Sequence, residues 1–77
     1  MRLNNKQKID LLRGVLQEVV NKSISIRDYD IEATEISNGG LLVNVALSNE
    51  DGVVVKEFEG NYFDVLCSCK LILYPLI

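Results

Sequence analysis

The 77-residue chain predicts an α+β domain: a three-stranded antiparallel β-meander with an N-terminal and a C-terminal helix on one face, in the order α-β-β-β-α. Three observations carry that expectation. Apolar residues follow a helical period from Asn4 to Lys22, alternate along the chain from Ser23 to Gly60, and run almost without interruption from Asn61 to the end.

In the first segment Ile9, Leu12, Val15, Leu16, Val19 and Val20 fall on one arc of a helical wheel, with Asp10, Gln17 and Glu18 away from it. Such a helix packs on one side only. Asn4 is placed to cap it, and Gln7, three residues later, is placed to reach back as the second half of a capping box. Gly14 lies on the solvent arc, where it weakens the helix by roughly 1 kcal/mol relative to alanine.

Two clusters punctuate the alternating segment, Asn38-Gly39-Gly40 and Asn49-Glu50-Asp51-Gly52, and read as turns joining three strands. Apolar positions must share a face, which restricts the register. A three-residue loop over Asn38, Gly39 and Gly40 sets Ala33 against Val45 and Ile31 against Leu47, whereas a two-residue loop would mix Glu32 or Thr34 into the core. A four-residue second loop pairs Leu47 with Val54, Val45 with Lys56 and Val43 with Phe58. Lys56 is then the odd member of the core face, expected at an edge where its stem packs and its ammonium reaches water.

From Asn61 onward only Asn61, Asp64, Ser68 and Lys70 are polar. Periodicity does not separate helix from buried strand in so continuous an apolar run, but its length favours helix. Asn61 suits an N-cap, Asp64 suits the positive first turn, and Pro75 marks the end. A domain this small buries its surface inefficiently, so part of this segment is expected to bury against a second copy or another protein. Tyr62, Phe63, Tyr74, Leu76 and Ile77 are the candidate anchors. Core packing is the commoner fate for Tyr62 and Phe63, and Leu76 and Ile77, beyond Pro75, are the better interface candidates.

Composition bounds the function. The net charge is −3 at pH 7, the sequence pI is near 4.7 and the mean hydropathy is +0.16. These values fit a single folded domain over residues 1–77 and argue against a primary role on nucleic acid or anionic membrane. The N-terminus lacks an apolar signal segment, and Lys70 and Pro75 interrupt the apolar tail, so a cytoplasmic protein without a transmembrane span is expected. No cofactor is expected. With no histidine and only Cys67 and Cys69, a zinc site lacks ligands. In a helix the two cysteines diverge too far for a disulfide, and both are expected as small buried hydrophobes.

The expected register leaves an outer sheet face carrying Asp30, Glu32, Thr34, Ile36, Leu42, Asn44, Ala46, Ser48, Val53, Val55, Glu57 and Glu59. Its cross-strand rows are Glu32-Ala46-Val55, Thr34-Asn44-Glu57 and Ile36-Leu42-Glu59. Asp30, Glu32, Glu57 and Glu59 rim an apolar middle of Ile36, Leu42 and Val55, a pattern suited to docking a basic protein surface. An open face neither desolvates one carboxylate nor converges several, so acid–base catalysis is not expected there. The sequence therefore points to a small non-enzymatic protein–protein interaction module, either self-associating as a homodimer or acting as a compact inhibitor or adaptor, such as a phage or mobile-element product.

A competing expectation comes from the first helix, where Arg2, Lys6 and Arg13 fall on one edge. The element order resembles that of the double-stranded RNA-binding domain, and the resemblance implies RNA contacts from the first helix, a loop and the start of the second helix. It is confined to topology. The segment where that family carries its lysines reads Gly60-Asn61-Tyr62-Phe63-Asp64, without a base. Weak, salt-sensitive phosphate binding by Arg2, Lys6 and Arg13 is the alternative function, with nucleic acid the less favoured partner.

Overall fold

A computed structural model describes residues 3–76. Helix α1 spans Asn5–Lys22, strands β1, β2 and β3 span Asp28–Glu35, Leu41–Ser48 and Val54–Asn61, and helix α2 spans Tyr62–Leu73, followed by a 3-10 turn at Tyr74–Leu76. The strands form one antiparallel sheet in the order β1-β2-β3. The α-β-β-β-α fold expected from the sequence is thus the fold of the molecule.

Local chemistry sets the helix boundaries. The Asn4 side chain accepts from the Gln7 amide at 2.8 Å. The Gln7 side chain accepts from the Asn4 amide at 3.0 Å, completing the capping box. Asn61 accepts from the Asp64 amide at 3.0 Å to start α2 directly at the end of β3. Pro75 does not break the chain direction at once, because the helix runs on as a 3-10 turn. Between α1 and β1 the buried Ser23 hydroxyl accepts from the Ile26 amide at 3.0 Å, and Arg27 donates to the Ser23 carbonyl at 3.0 Å. That corner swings Ile26 into the core.

Both helices cover the face of the sheet that carries Leu41, Val43, Val45 and Leu47 of β2, all buried. Leu12, Leu16 and Val19 come from α1, and Tyr62, Val65, Leu66 and Cys69 from α2. Burial is concentrated on the middle strand. On β3 only Phe58 and Gly60 are half-buried, and Val54 and Val55, like Val53 just before the strand, are each more than half exposed.

Both hairpin registers differ from expectation by two residues. Ala33 faces Val43 and Ile31 faces Val45. Val45 faces Phe58, Leu47 faces Lys56, and Val43 faces Gly60. In the first hairpin the cause is the choice of glycine; in the second it is a loop one residue shorter than expected together with a bulge. The first loop is Ser37-Asn38-Gly39, closed by Ile36 N–H to Gly40 O and Gly39 N–H to Ile36 O, both 3.0 Å, with Gly39 at φ +81°. The second loop repeats that design in Glu50-Asp51-Gly52, with Asn49 and Val53 as the closing pair and Gly52 at φ +78°. A bulge next to it sets Leu47 against Lys56 but Ser48 against Val54, leaving Val55 unpaired. Beyond the bulge each slip is two residues, so Ile31, Ala33 and Phe58 keep the core face, whereas Val54, expected there opposite Leu47, pairs with Ser48 on the outer face. Lys56 is exposed on the core-side face, its ammonium 5.9 Å from the Phe58 ring centre.

Candidate functional site

The corrected register rebuilds the outer sheet face. Its cross-strand rows are Asp28-Ser48-Val54, Asp30-Ala46-Glu57, Glu32-Asn44-Glu59 and Thr34-Leu42-Asn61. The expected rows mixed the carboxylates with Val55 and Ile36. Instead each of the two central rows begins and ends on a carboxylate. Strand spacing sets the β1 and β3 acids of one row about 10 Å apart, and successive acids on one strand about 7 Å apart. Asp28, Asp30, Glu32, Glu57 and Glu59 therefore frame a small neutral centre, Asn44 and Ala46.

Of the expected apolar middle, Leu42 is 45% exposed and sits between Thr34 and Asn61, beside the acids. Ile36 lies at the mouth of the first loop, and Val55 occupies the bulge and joins no row. A shallow depression of about 360 Å³ runs over Glu32, Thr34, Leu42, Asn44, Glu59 and Gly60. Among the described residues the one ion pair is Glu18–Lys22 on α1, at 3.9 Å, so no cation of the described chain neutralises this face. The described residues contain no group of three or more His, Cys, Asp or Glu side chains that could hold a metal ion. The acids are spread along two strands and do not converge on a point.

The outer side of α2 is the second exposed surface. Tyr62 belongs to the core, 2% exposed, and burial raises its hydroxyl pKa. Phe63 turns outward instead, 63% exposed, against the expectation that it packs on the sheet. Its ring stands edge-on to Tyr62, and the Lys8 ammonium lies 5.6 Å from the Phe63 ring centre. Tyr74 and Leu71 are both 67% exposed, whereas Leu76 is half-buried against the core. Ile77 lies outside the described residues. The cysteines divide: Cys69 is fully buried, which pushes its thiol up to about 11, but Cys67 is exposed and not the buried hydrophobe expected. Adjacent residues on a helix point about 100° apart, which separates Tyr62 from Phe63; residues two apart, such as Cys67 and Cys69, diverge by about 200°.

Arg2, the first of the three bases proposed to meet nucleic acid, also lies outside the described residues. Lys6 and Arg13 do come together, lining a groove between α1 and β1 of about 480 Å³. Asp10 and Glu35 line the same groove, and Glu35 accepts from the Asn5 side chain at 2.8 Å. Its charge is therefore balanced. At the start of α2, where the RNA-binding domain carries bases, Asn61 donates to the Asp64 carboxylate at 2.9 Å.

No helix of the described residues is long and apolar enough to cross a membrane. Comparison of the chain with protein-family models, curated proteins and solved structures returns no match.

Proposed function

We propose that the domain is a non-enzymatic protein–protein interaction module of the cytoplasm that docks its acidic outer sheet face onto a basic surface of a partner protein, in the manner of a compact inhibitor or adaptor. One observation carries this reading: five carboxylates frame the open face and no cation of the described chain pairs with them. Carboxylates so placed steer a basic surface on approach, and Leu42 and Ala46 supply contact area that a guanidinium stem can cover. Nucleic acid is the alternative partner, and the mixed charge around Lys6 and Arg13 speaks against it.

The test is a titration with an arginine-rich peptide, followed by amide chemical shifts. Docking predicts shifts on β1 and β3 and also at Leu42, Asn44 and Ala46, weakening as salt screens exposed charges beyond about 8 Å at physiological ionic strength. The combined substitution Asp30→Asn, Glu32→Gln, Glu57→Gln and Glu59→Gln should remove them. Shifts spread equally over Glu50 and Asp51 of the second loop would show diffuse charge attraction and reject a docking face. A mobility shift of RNA or DNA at low salt, abolished by Arg2→Ala, Lys6→Ala and Arg13→Ala together, would establish the alternative.

A further inference from the structure

The acidic face leaves the open edge of β3 without a role. In an antiparallel sheet successive residues of a strand send their N–H and C=O groups to opposite neighbours. Gly40 O and Ser48 O accept from Ile36 and Arg27 on the β1 side, whereas the Asn49 N–H donates to Val53 on the β3 side. By that alternation Val43, Val45 and Leu47 bond toward β3. The backbones of their partners Gly60, Phe58 and Lys56 therefore turn toward β2, and those of Glu57 and Glu59 turn away from the sheet. Among the described residues no backbone hydrogen bond reaches Glu57 or Glu59 from another element.

We infer that this edge takes a strand from a partner protein, an extended segment in which arginine or lysine alternates with apolar residues. The inference rests on the reading of the outer face as an acidic docking surface and names the element of the partner that meets it. The two sides of the edge select that occupant. Residues of an added strand beside Glu57 and Glu59 turn to the outer face, with Cβ atoms about 5 Å from those of the two acids, and charge complementarity makes them basic. The residue between them turns to the other face, where Phe58 of β3 and Leu71, Ile72 and Pro75 beyond it wall a groove of about 480 Å³, and is apolar. Lys56 lines one end of that groove and excludes a base from the inward position beside it. The bulge at Val55 and the start of α2 after Asn61 confine the regular edge to residues 56–60, so the segment that fits is about five residues long.

A second copy of the chain does not fit. On the outer face its edge strands carry Asp28, Asp30 and Glu32 on β1 and Glu57 and Glu59 on β3, so either strand would lay acids beside acids. Nor does the β1 edge offer the same site, because the groove beside it is lined by four charged side chains, Lys6, Asp10, Arg13 and Glu35. At β3 alone the open main chain lies between carboxylates on one face and an apolar groove on the other. Main-chain bonds to Glu57 and Glu59 supply affinity there, and the two faces supply specificity.

The experiment follows amide shifts and hydrogen exchange of the full chain against two capped peptides of equal charge, Leu-Arg-Leu-Arg-Leu and Ser-Arg-Ser-Arg-Ser. The leucine peptide should bind roughly 10-fold tighter, the gain from one leucine partly buried in the groove. It should shift the amides of Ser68, Leu71 and Ile72 and, at saturation, slow exchange at the amides of Glu57 and Glu59, and the serine peptide should do neither. Leu71→Gln, at an exposed position that leaves the core intact, should narrow the preference to roughly 3-fold because one apolar wall is lost. Equal affinity for the two peptides, a preference indifferent to Leu71→Gln, or slowed exchange at Ile31 and Ala33 of β1 in place of Glu57 and Glu59 overturns the inference. If both peptides bind equally and shift Leu42, Asn44 and Ala46, the acidic docking face stands and strand addition alone is wrong. If neither binds, both readings fall.

Discussion

Replacing Gly14 by alanine should stabilise the domain. The residue sits inside α1, exposed, and a methyl group added there meets no atom within 4 Å. Nothing in the folded state therefore opposes the change. Glycine in a helix interior costs roughly 0.8–1.0 kcal/mol relative to alanine, chiefly through the greater backbone freedom of the unfolded chain. A domain of this size is stable by roughly 4–12 kcal/mol, so the gain is a substantial fraction of the whole. It should raise Tm by roughly 4–8 °C. In urea, with a slope of about 1–2 kcal/mol/M, the midpoint should move up by roughly 0.5–1 M with the slope unchanged. Circular dichroism during urea and thermal unfolding reads both quantities. An unchanged or lowered midpoint would refute the argument, because it would mean that Gly14 makes a close contact in solution, with another element or another chain.

Gly39→Ala makes the opposite prediction from equally open space: nothing lies within 4 Å, but φ is +81°, and forcing an L side chain there should cost roughly 1–2 kcal/mol, read as a lowered urea midpoint. The cysteines should differ in reactivity, with one thiol per chain, Cys67, reacting rapidly with an aromatic disulfide reagent at mildly alkaline pH and Cys69 only on unfolding; equal rates would refute the assignment. Burial favours the neutral Cys69 thiol, so the unfolded chain loses that proton first. Its contribution to stability is present below pH 9.0 and lost as pH rises to about 11, and the wild-type loss over that window should exceed that of Cys69→Ala.

The helices and strands were legible because their signals are local. Asn4 with Gln7, and Asn61 with Asp64, mark helix starts through contacts three residues long, and the alternation on β2 matches its buried and exposed faces. The acidic side of the sheet followed from the same alternation, so Asp30, Glu32, Glu57 and Glu59 were placed on the right face with the wrong neighbours. Asn38-Gly39-Gly40 offers two glycines for one left-handed position, and only the hydrogen bonds between Ile36 and Gly40 settle that Gly39 takes it.

By itself, then, the amino-acid order determined the elements, their caps and, outside the bulge at Val54 and Val55, which side chains share a sheet face. The tertiary structure decided the registers and which side of α2 meets water. The reasons are geometric: a strand pattern of period two is unchanged by a slip of two residues, and a helix apolar nearly all round carries no internal signal of which face to bury. Packing of the sheet and α1 against Val65, Leu66 and Cys69 made that choice and left Phe63, Leu71 and Tyr74 outside.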